Sequence, residues 1–181
     1  MKWFKSPNIE PLEVSMPGVK LGDRLLVIGC SDPILIARLA VKSGLTGRAC
    51  AVDDSDALAT EAAVVARREG ALIETERAPG WRVPYDNGAF DVVVLRDVLS
   101  SGSARAAAAT ESRRVLRPGG RCIAIDGAPR RGLGALLGGR QAAALDADAA
   151  TRALTSAGFV AVRPLAEREG MLFVEGVRGN A

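Results

Sequence analysis

Residues 25–40 read LLVIGCSDPILIARLA: an unbroken apolar run, a turn of small and polar residues, then apolar positions returning at helical spacing. An apolar run without alternation predicts a strand buried on both faces, and such strands belong to parallel sheets covered by helices. The turn, Gly29-Cys30-Ser31-Asp32-Pro33, is built to start a helix. Ser31 or Asp32 can accept from the free amides of the next turn, and Pro33 suits the first helical position, where a missing N–H costs nothing. A helix beginning there offers unpaired amides and a positive dipole end to a carboxylate or phosphate, and Gly29 lets the backbone come close. The same residues equally describe an ordinary strand-to-helix connection.

Outward from this stretch the unit repeats. RACAVD precedes SDALATEAAVVARREG, ALIE precedes a loop, FDVVVL precedes SARAAAATESRRVL, and RCIAID follows. Strands alternating with amphipathic helices predict a doubly wound, mostly parallel α/β sheet. ESRRVLRPGGRCIAID is expected to be a helix stopped by Pro118-Gly119-Gly120 and then a strand. The last third differs: DADAATRALTSAGF is a capped helix closed by Gly158, and VAVRPLAEREGMLFVEGVR is two extended runs around the turn Glu167–Gly170. Strands so close in sequence pair as a hairpin, so the sheet is expected to end in an antiparallel pair. GAPRRGLGALLGGRQAA, before that helix, has no periodicity and is expected to be a loop; its Arg130, Arg131 and Arg140 could close over an acidic substrate.

With 181 residues, 48% of them hydrophobic, the chain can bury one good core. One domain is expected over residues 21–181, with residues 1–20 as a leader packed on it. Pro7, Pro11 and Pro17 discourage regular structure there, and Trp3 and Phe4 are expected to fold back onto the domain. The net charge of +3 comes from arginines spread along the chain, which argues against a nucleic-acid partner. No run approaches the roughly 18 apolar residues of a membrane span, and the cytoplasm is the expected location. Cys30, Cys50 and Cys122 read as small core thiols. The chain has no histidine, which excludes a Ser-His-Asp triad, a histidine base and a histidine-ligated metal; no metal site is expected.

Ligands of open α/β sheets bind outside the carboxyl ends of the strands. There the sequence places Asp53 and Asp54, which can take the hydroxyls of a ribose or, with Ser55, cap the following helix. The fourth strand is followed there by Arg96 and Asp97.

In this order, LLVIGCSDPILIARLA, VDDSDAL, VPYDNGAFDVVVLRDVL, RRVLRPGGRCIAI and LTSAGFVAVRPLAEREGMLFVEG resemble a class I S-adenosylmethionine-dependent methyltransferase. The resemblance is to the small bacterial type 11 kind that modifies quinone precursors, and it runs over roughly residues 19–177. It implies a seven-stranded sheet with an antiparallel last strand and the cofactor over the first two strands. Gly29 falls on the first loop glycine, Asp53 on the ribose-binding acid and Asp91 on the acid that begins the fourth strand. The cofactor-binding set so implied is Gly29, Cys30, Ser31, Asp53, Asp54, Ala78, Pro79 and Arg96.

The chain departs from the family pattern at Val27, where an acid is usual, and at Ser31 and Pro33, where loop glycines are usual. Asp54 stands at a usually apolar place, and Ala78-Pro79 replaces an acid-Ala pair. Methyl transfer needs positioning more than a dedicated base, so the expected activity is transfer from S-adenosylmethionine to a small molecule, with Arg96, Asp97 or Tyr85 orienting the acceptor. The alternative is an inactive binding or regulatory module on the same fold. A nicotinamide-dependent reductase is a weaker reading, because no G-x-G-x-x-G follows the first strand. So short a chain leaves little room for a substrate pocket, and a homodimer is one way to complete it.

Overall fold

The computed structural model describes residues 10–100, 104–127 and 146–180. Trp3, Phe4 and Pro7, like Arg130, Arg131 and Arg140, lie outside them. The described elements are α1 (Leu12–Ser15), β1 (Arg24–Ile28), α2 (Pro33–Ser43), β2 (Arg48–Asp53), α3 (Asp56–Arg68), β3 (Glu74–Arg77), β4 (Phe90–Arg96), α4 (Arg105–Val115), β5 (Leu116–Gly127), α5 (Ala147–Ser156), β6 (Phe159–Arg168) and β7 (Met171–Arg178). They form a seven-stranded sheet in the order β3-β2-β1-β4-β5-β7-β6. The first five strands run parallel, and β7 pairs antiparallel with both β5 and β6.

The continuous apolar strands are buried on both sides, as their lack of alternation requires. Leu25, Val27, Val92, Val94, Ile123 and Ile125 face α2 and α3, while Leu26, Ile28, Val93, Leu95, Cys122 and Ala124 face α4 and α5. Capping follows the chemistry of the turns. Asp32 caps α2, accepting from the Leu35 amide at 3.0 Å with Pro33 in the first turn, and Ser55 caps α3. Asp146 caps α5, accepting from the Ala149 amide at 2.7 Å. The hairpin turns at Glu169 and Gly170, both with positive φ. In residues 10–20, Val14 and Val19 are buried in the core, and Arg121 donates to the Pro17 carbonyl.

Two boundaries differ from the sequence reading. The third strand is not ALIE: Ala71–Ile73 precede it, and β3 is the charged Glu74-Thr75-Glu76-Arg77. As an edge strand with β2 as its one neighbour, it needs no apolar faces, and Leu72 is left 74% exposed. The helix α4 stops at Val115, short of Pro118. The residue before a proline, here Arg117, disfavours helical backbone, and the chain leaves the helix one residue earlier still, extended at Leu116, which pairs with Phe90. Gly120 then passes between the Arg117 and Asp91 carbonyls, where a Cβ would sit 2.9 and 3.0 Å from their oxygens.

The parallel strands carry a charge pattern. Arg24 and Arg48 open β1 and β2, and Arg121 opens the apolar part of β5, whereas Asp53 and Asp126 stand at the carboxyl ends of β2 and β5. The central β4 is reversed, with Asp91 at its amino end and Arg96 at its carboxyl end. The edge strand β3 has the same reversed order, from Glu74 to Arg77, so acids and arginines are interspersed along each rim.

Candidate active site

A cavity of about 410 Å³ opens at the carboxyl rim over β1, β2 and β4. Its wall includes Gly29, Ser31, Asp53, Asp54, Arg96 and Asp97, so most of the residues singled out from the sequence meet in one place. Gly29 has φ +94°, and a Cβ there would lie 2.2 Å from the Arg96 carbonyl oxygen. Only glycine lets the first loop pack so closely on the end of β4.

Asp53 organises the loop. Its Oδ2 accepts from the Cys30 amide at 2.7 Å and its Oδ1 from the Ser55 amide at 2.8 Å. Val27, where the family has an acid, is fully buried between Ala51 and Val94 and offers the loop nothing polar. The amide of the loop is therefore held from β2. Each carboxylate oxygen of Asp53 keeps a lone pair for a further donor. Asp54 does not cap α3, a role Ser55 takes, and its side chain is exposed at the cavity edge.

Ser31 donates to Asp97 Oδ2 at 2.9 Å, and Arg96 pairs with Asp97 Oδ1 at 3.1 Å, so the first loop and the β4 end are tied across the cavity. Arg96 is the one cation among the described lining residues, against the carboxylates Asp53, Asp54 and Asp97. The field in the cavity favours a cationic ligand.

Other expected positions fall outside the cavity wall. The Cys30 side chain is fully buried, and burial, with the nearby Asp53 charge, pushes its thiol up to about 12. Ala78 is buried with its amide on the Asp53 carbonyl at 2.9 Å, and Pro79 does not line the cavity, whereas the next two residues, Gly80 and Trp81, do. Tyr85 is far from the role of orienting an acceptor. Its ring lies edge-on to Phe90 with the Arg48 guanidinium over its face, at the amino end of β2. Asp91 is likewise at the amino rim, clamped by Arg24 and Arg117.

The structure adds residues that the motifs did not disclose. Trp81, half exposed, and Leu58 join Ile28 and Val52 as an apolar wall, and Val98, Ala104 and Ala108 close the side toward α4. Behind this side lies Asp126, 1% exposed, whose Oδ1 accepts from the Ser100 amide at 3.0 Å. Among the described residues its Oδ2 has no hydrogen-bond partner. Burial, reinforced by Asp97, pushes its carboxyl up to about 6 against the pull of Ser100 and Arg96. The signal was present: RCIAID ends as RACAVD does, in an acid after an apolar strand.

Comparison with known proteins agrees with this geometry. Residues 26–124 match the family model described as a methyltransferase domain. The chain is 32% identical over 119 residues to the chloroplastic 2-phytyl-1,4-beta-naphthoquinone methyltransferase of Arabidopsis thaliana, covering 64% of this chain and 46% of that protein. It is 28% identical over 109 residues to the ubiquinone/menaquinone biosynthesis C-methyltransferase UbiE of Chromobacterium violaceum, covering 60% and 45%. It thus spans less than half the length of these relatives. Among solved structures, a SAM-dependent methyltransferase from Aquifex aeolicus shares the fold with a TM-score of 0.77, at 18% identity over 92% of each chain. The S-adenosylmethionine-dependent methyltransferase SibL does so with a TM-score of 0.76, at 19% identity over 93% of this chain and 54% of that one.

Proposed function

Since the chain belongs to the methyltransferase domain family, we propose that it binds S-adenosylmethionine in the carboxyl-rim cavity and transfers the methyl group to a small-molecule acceptor. The observation that carries this reading is the convergence of Gly29, Ser31, Asp53, Arg96 and Asp97 on one cavity. The cavity volume lies in the range of small-molecule sites, and its three carboxylates against one guanidinium suit a ligand with a sulfonium charge. When bound, S-adenosylmethionine supplies a methyl group on a positively charged sulfur.

The chain's own residues do the rest by placement. Asp53 holds the ribose hydroxyls, Asp54 adds its charge at the cavity edge, and Ile28, Val52, Leu58 and Trp81 give an apolar surface for the base. Gly29 and Ser31 bound the methionine portion, and Arg96 and Asp97 face the place where the acceptor meets the methyl group. Such near-attack positioning supplies on the order of 7–11 kcal/mol without a general base, which a chain without histidine can achieve. A quinone-type ring is the first acceptor class to try, because both quinone methyltransferase relatives carry it in their names. The bacterial cytoplasm fits the unpaired Cys30, Cys50 and Cys122. Among the described residues no helix is long and apolar enough to cross a membrane. We assign no nucleic-acid partner, and a second copy of the chain completes the acceptor side.

Calorimetric titration with S-adenosylmethionine and S-adenosylhomocysteine, with Asp53→Ala as control, tests the reading. The expected result is roughly micromolar binding, about −8 kcal/mol, that is lost in the variant. A folded protein with no binding at millimolar ligand would refute it.

A further inference from the structure

The turn that follows β4 begins in a costly conformation: Asp97 has φ 55°. A residue other than glycine stays in that region only where its surroundings over-determine it. Here they do. The Asp97 amide donates to the Ile125 carbonyl at 3.0 Å, and Ser100 Oγ donates to the Asp97 carbonyl at 3.1 Å. Arg105 donates to the Leu99 carbonyl, and the Ser100 amide donates to Asp126. Asp97 and Val98 line the cavity, so whatever fixes this turn also fixes the cavity wall.

The Asp126 bond is unlike the others. Among the described residues it is the one side-chain carboxylate on a backbone amide of this turn, and it comes from a buried group whose second oxygen has no partner there. A buried carboxylate with an unpaired oxygen costs stability, so a role in folding does not account for it. Resting on the reading above, we propose that Asp126 is a positioning residue of the transfer site, whose ionised carboxylate holds the Ser100 amide and thereby sets the Asp97–Ser100 wall of the cofactor cavity.

Protonation weakens this hold, because a neutral acid is a poorer acceptor than a carboxylate. Asp126 loses its proton near pH 6. The charged groups facing it are Arg96 and Asp97 at the end of β4, and Arg105 of α4 holds the same turn at Leu99. From β7 its partner in register is the apolar Leu172. The chain has no histidine, so no side chain with an ordinary pKa near 6 competes for a transition there.

The experiment compares the intact wild-type chain with Asp126→Asn and Asp126→Glu. The Ser100 amide resonance is followed by NMR, and S-adenosylmethionine affinity by calorimetry, from pH 8 to pH 5. In the wild type the amide shift and the affinity are expected to change with a shared midpoint near 6, the affinity falling about tenfold. Asp126→Asn is expected to lack the transition and to bind about tenfold more weakly at pH 8, whereas Asp126→Glu restores a pH-dependent profile. Wild-type affinity in folded Asp126→Asn at every pH, or a Ser100 amide that does not titrate with Asp126, would overturn the proposal and leave the methyltransferase reading standing. A wild type that binds no S-adenosylmethionine at any pH would overturn both.

Discussion

Asp91 and Asp126 stand on neighbouring strands of one sheet, at opposite ends, and their surroundings move their protons in opposite directions. Burial alone would raise both. At Asp91 the hydrogen bonds from Arg24 and Arg117 outweigh burial and bring the carboxyl down to about 2. At Asp126 the amide and hydroxyl of Ser100 and the field of Arg96 do not, and the carboxyl rises to about 6. The amino rim gives its acid two guanidinium partners and gains stability. The carboxyl rim leaves charge uncompensated beside a cavity, which is where a ligand can make up the difference.

The largest expected effect tests whether the carboxyl rim is held by close packing. Gly29→Ala puts a Cβ against the Arg96 carbonyl at a backbone angle that side chains avoid. Overpacking and strain together are expected to cost about 3 kcal/mol or more, read as a loss of urea stability. A variant as stable as the wild type would mean that the junction of the first loop with β4 is looser than the geometry implies.

At the amino rim, Asp91→Asn removes the clamp and is expected to cost about 2 kcal/mol at pH 7. The folded-state value lies below the ordinary one near 4, so the stabilisation is complete above about pH 4 and is lost as the pH falls toward 2. The difference in stability between wild type and variant should shrink over that window, with S-adenosylmethionine affinity unchanged at pH 7. A weakened affinity would break the division between the rims.

Asp126→Asn should move stability the other way. The folded-state carboxyl is raised, so the folded protein binds the proton more tightly than the unfolded chain, and stability falls as the pH rises from about 4 to about 6. Above that window the ionised group is a standing cost, and the neutral amide relieves it. The variant is expected to be about 1–2 kcal/mol more stable at pH 7.5, with the gain gone near pH 4. Thermal unfolding at the two pH values checks this, and a variant destabilised at pH 7.5 would make Asp126 an ordinary structural acid.

What the sequence disclosed divides along the same line. Strand burial, helix caps and the closing hairpin follow from local patterns, so LLVIG, SDP and the turn near Glu169 could be read directly. The charged β3 could not, because an edge strand lacks the apolar signal by which strands are recognised. At the site, Asp53 was legible as an acid ending an apolar strand. Its hold on the Cys30 amide was not, since it joins residues 23 positions apart. Tyr85 was misplaced because the loop before β4 carries it to the amino end of β2, a path that no local pattern encodes. Asp126 bore the same signature as Asp53, but its meaning lies in burial and an unpaired oxygen, which exist only once the sheet is assembled.

Asp54 gives the smallest effect and the sharpest view of what the carboxyl rim's charge does. Its side chain is exposed and takes no part in capping α3, so Asp54→Asn should change stability by less than about 0.5 kcal/mol. It does border the cavity. A unit charge roughly 7 Å from a sulfonium in water-like surroundings is worth about 0.6 kcal/mol, a two- to threefold change in affinity. S-adenosylmethionine carries that sulfonium and S-adenosylhomocysteine does not, so the variant should lose about two- to threefold for the first and nothing for the second at low ionic strength. Raising the salt to about 0.5 M should erase the difference, because screening acts within a few ångströms at an exposed site. An equal loss for both ligands would assign Asp54 to a hydrogen bond on the part they share, and the acidic rim would then hold the ligand without sensing its charge.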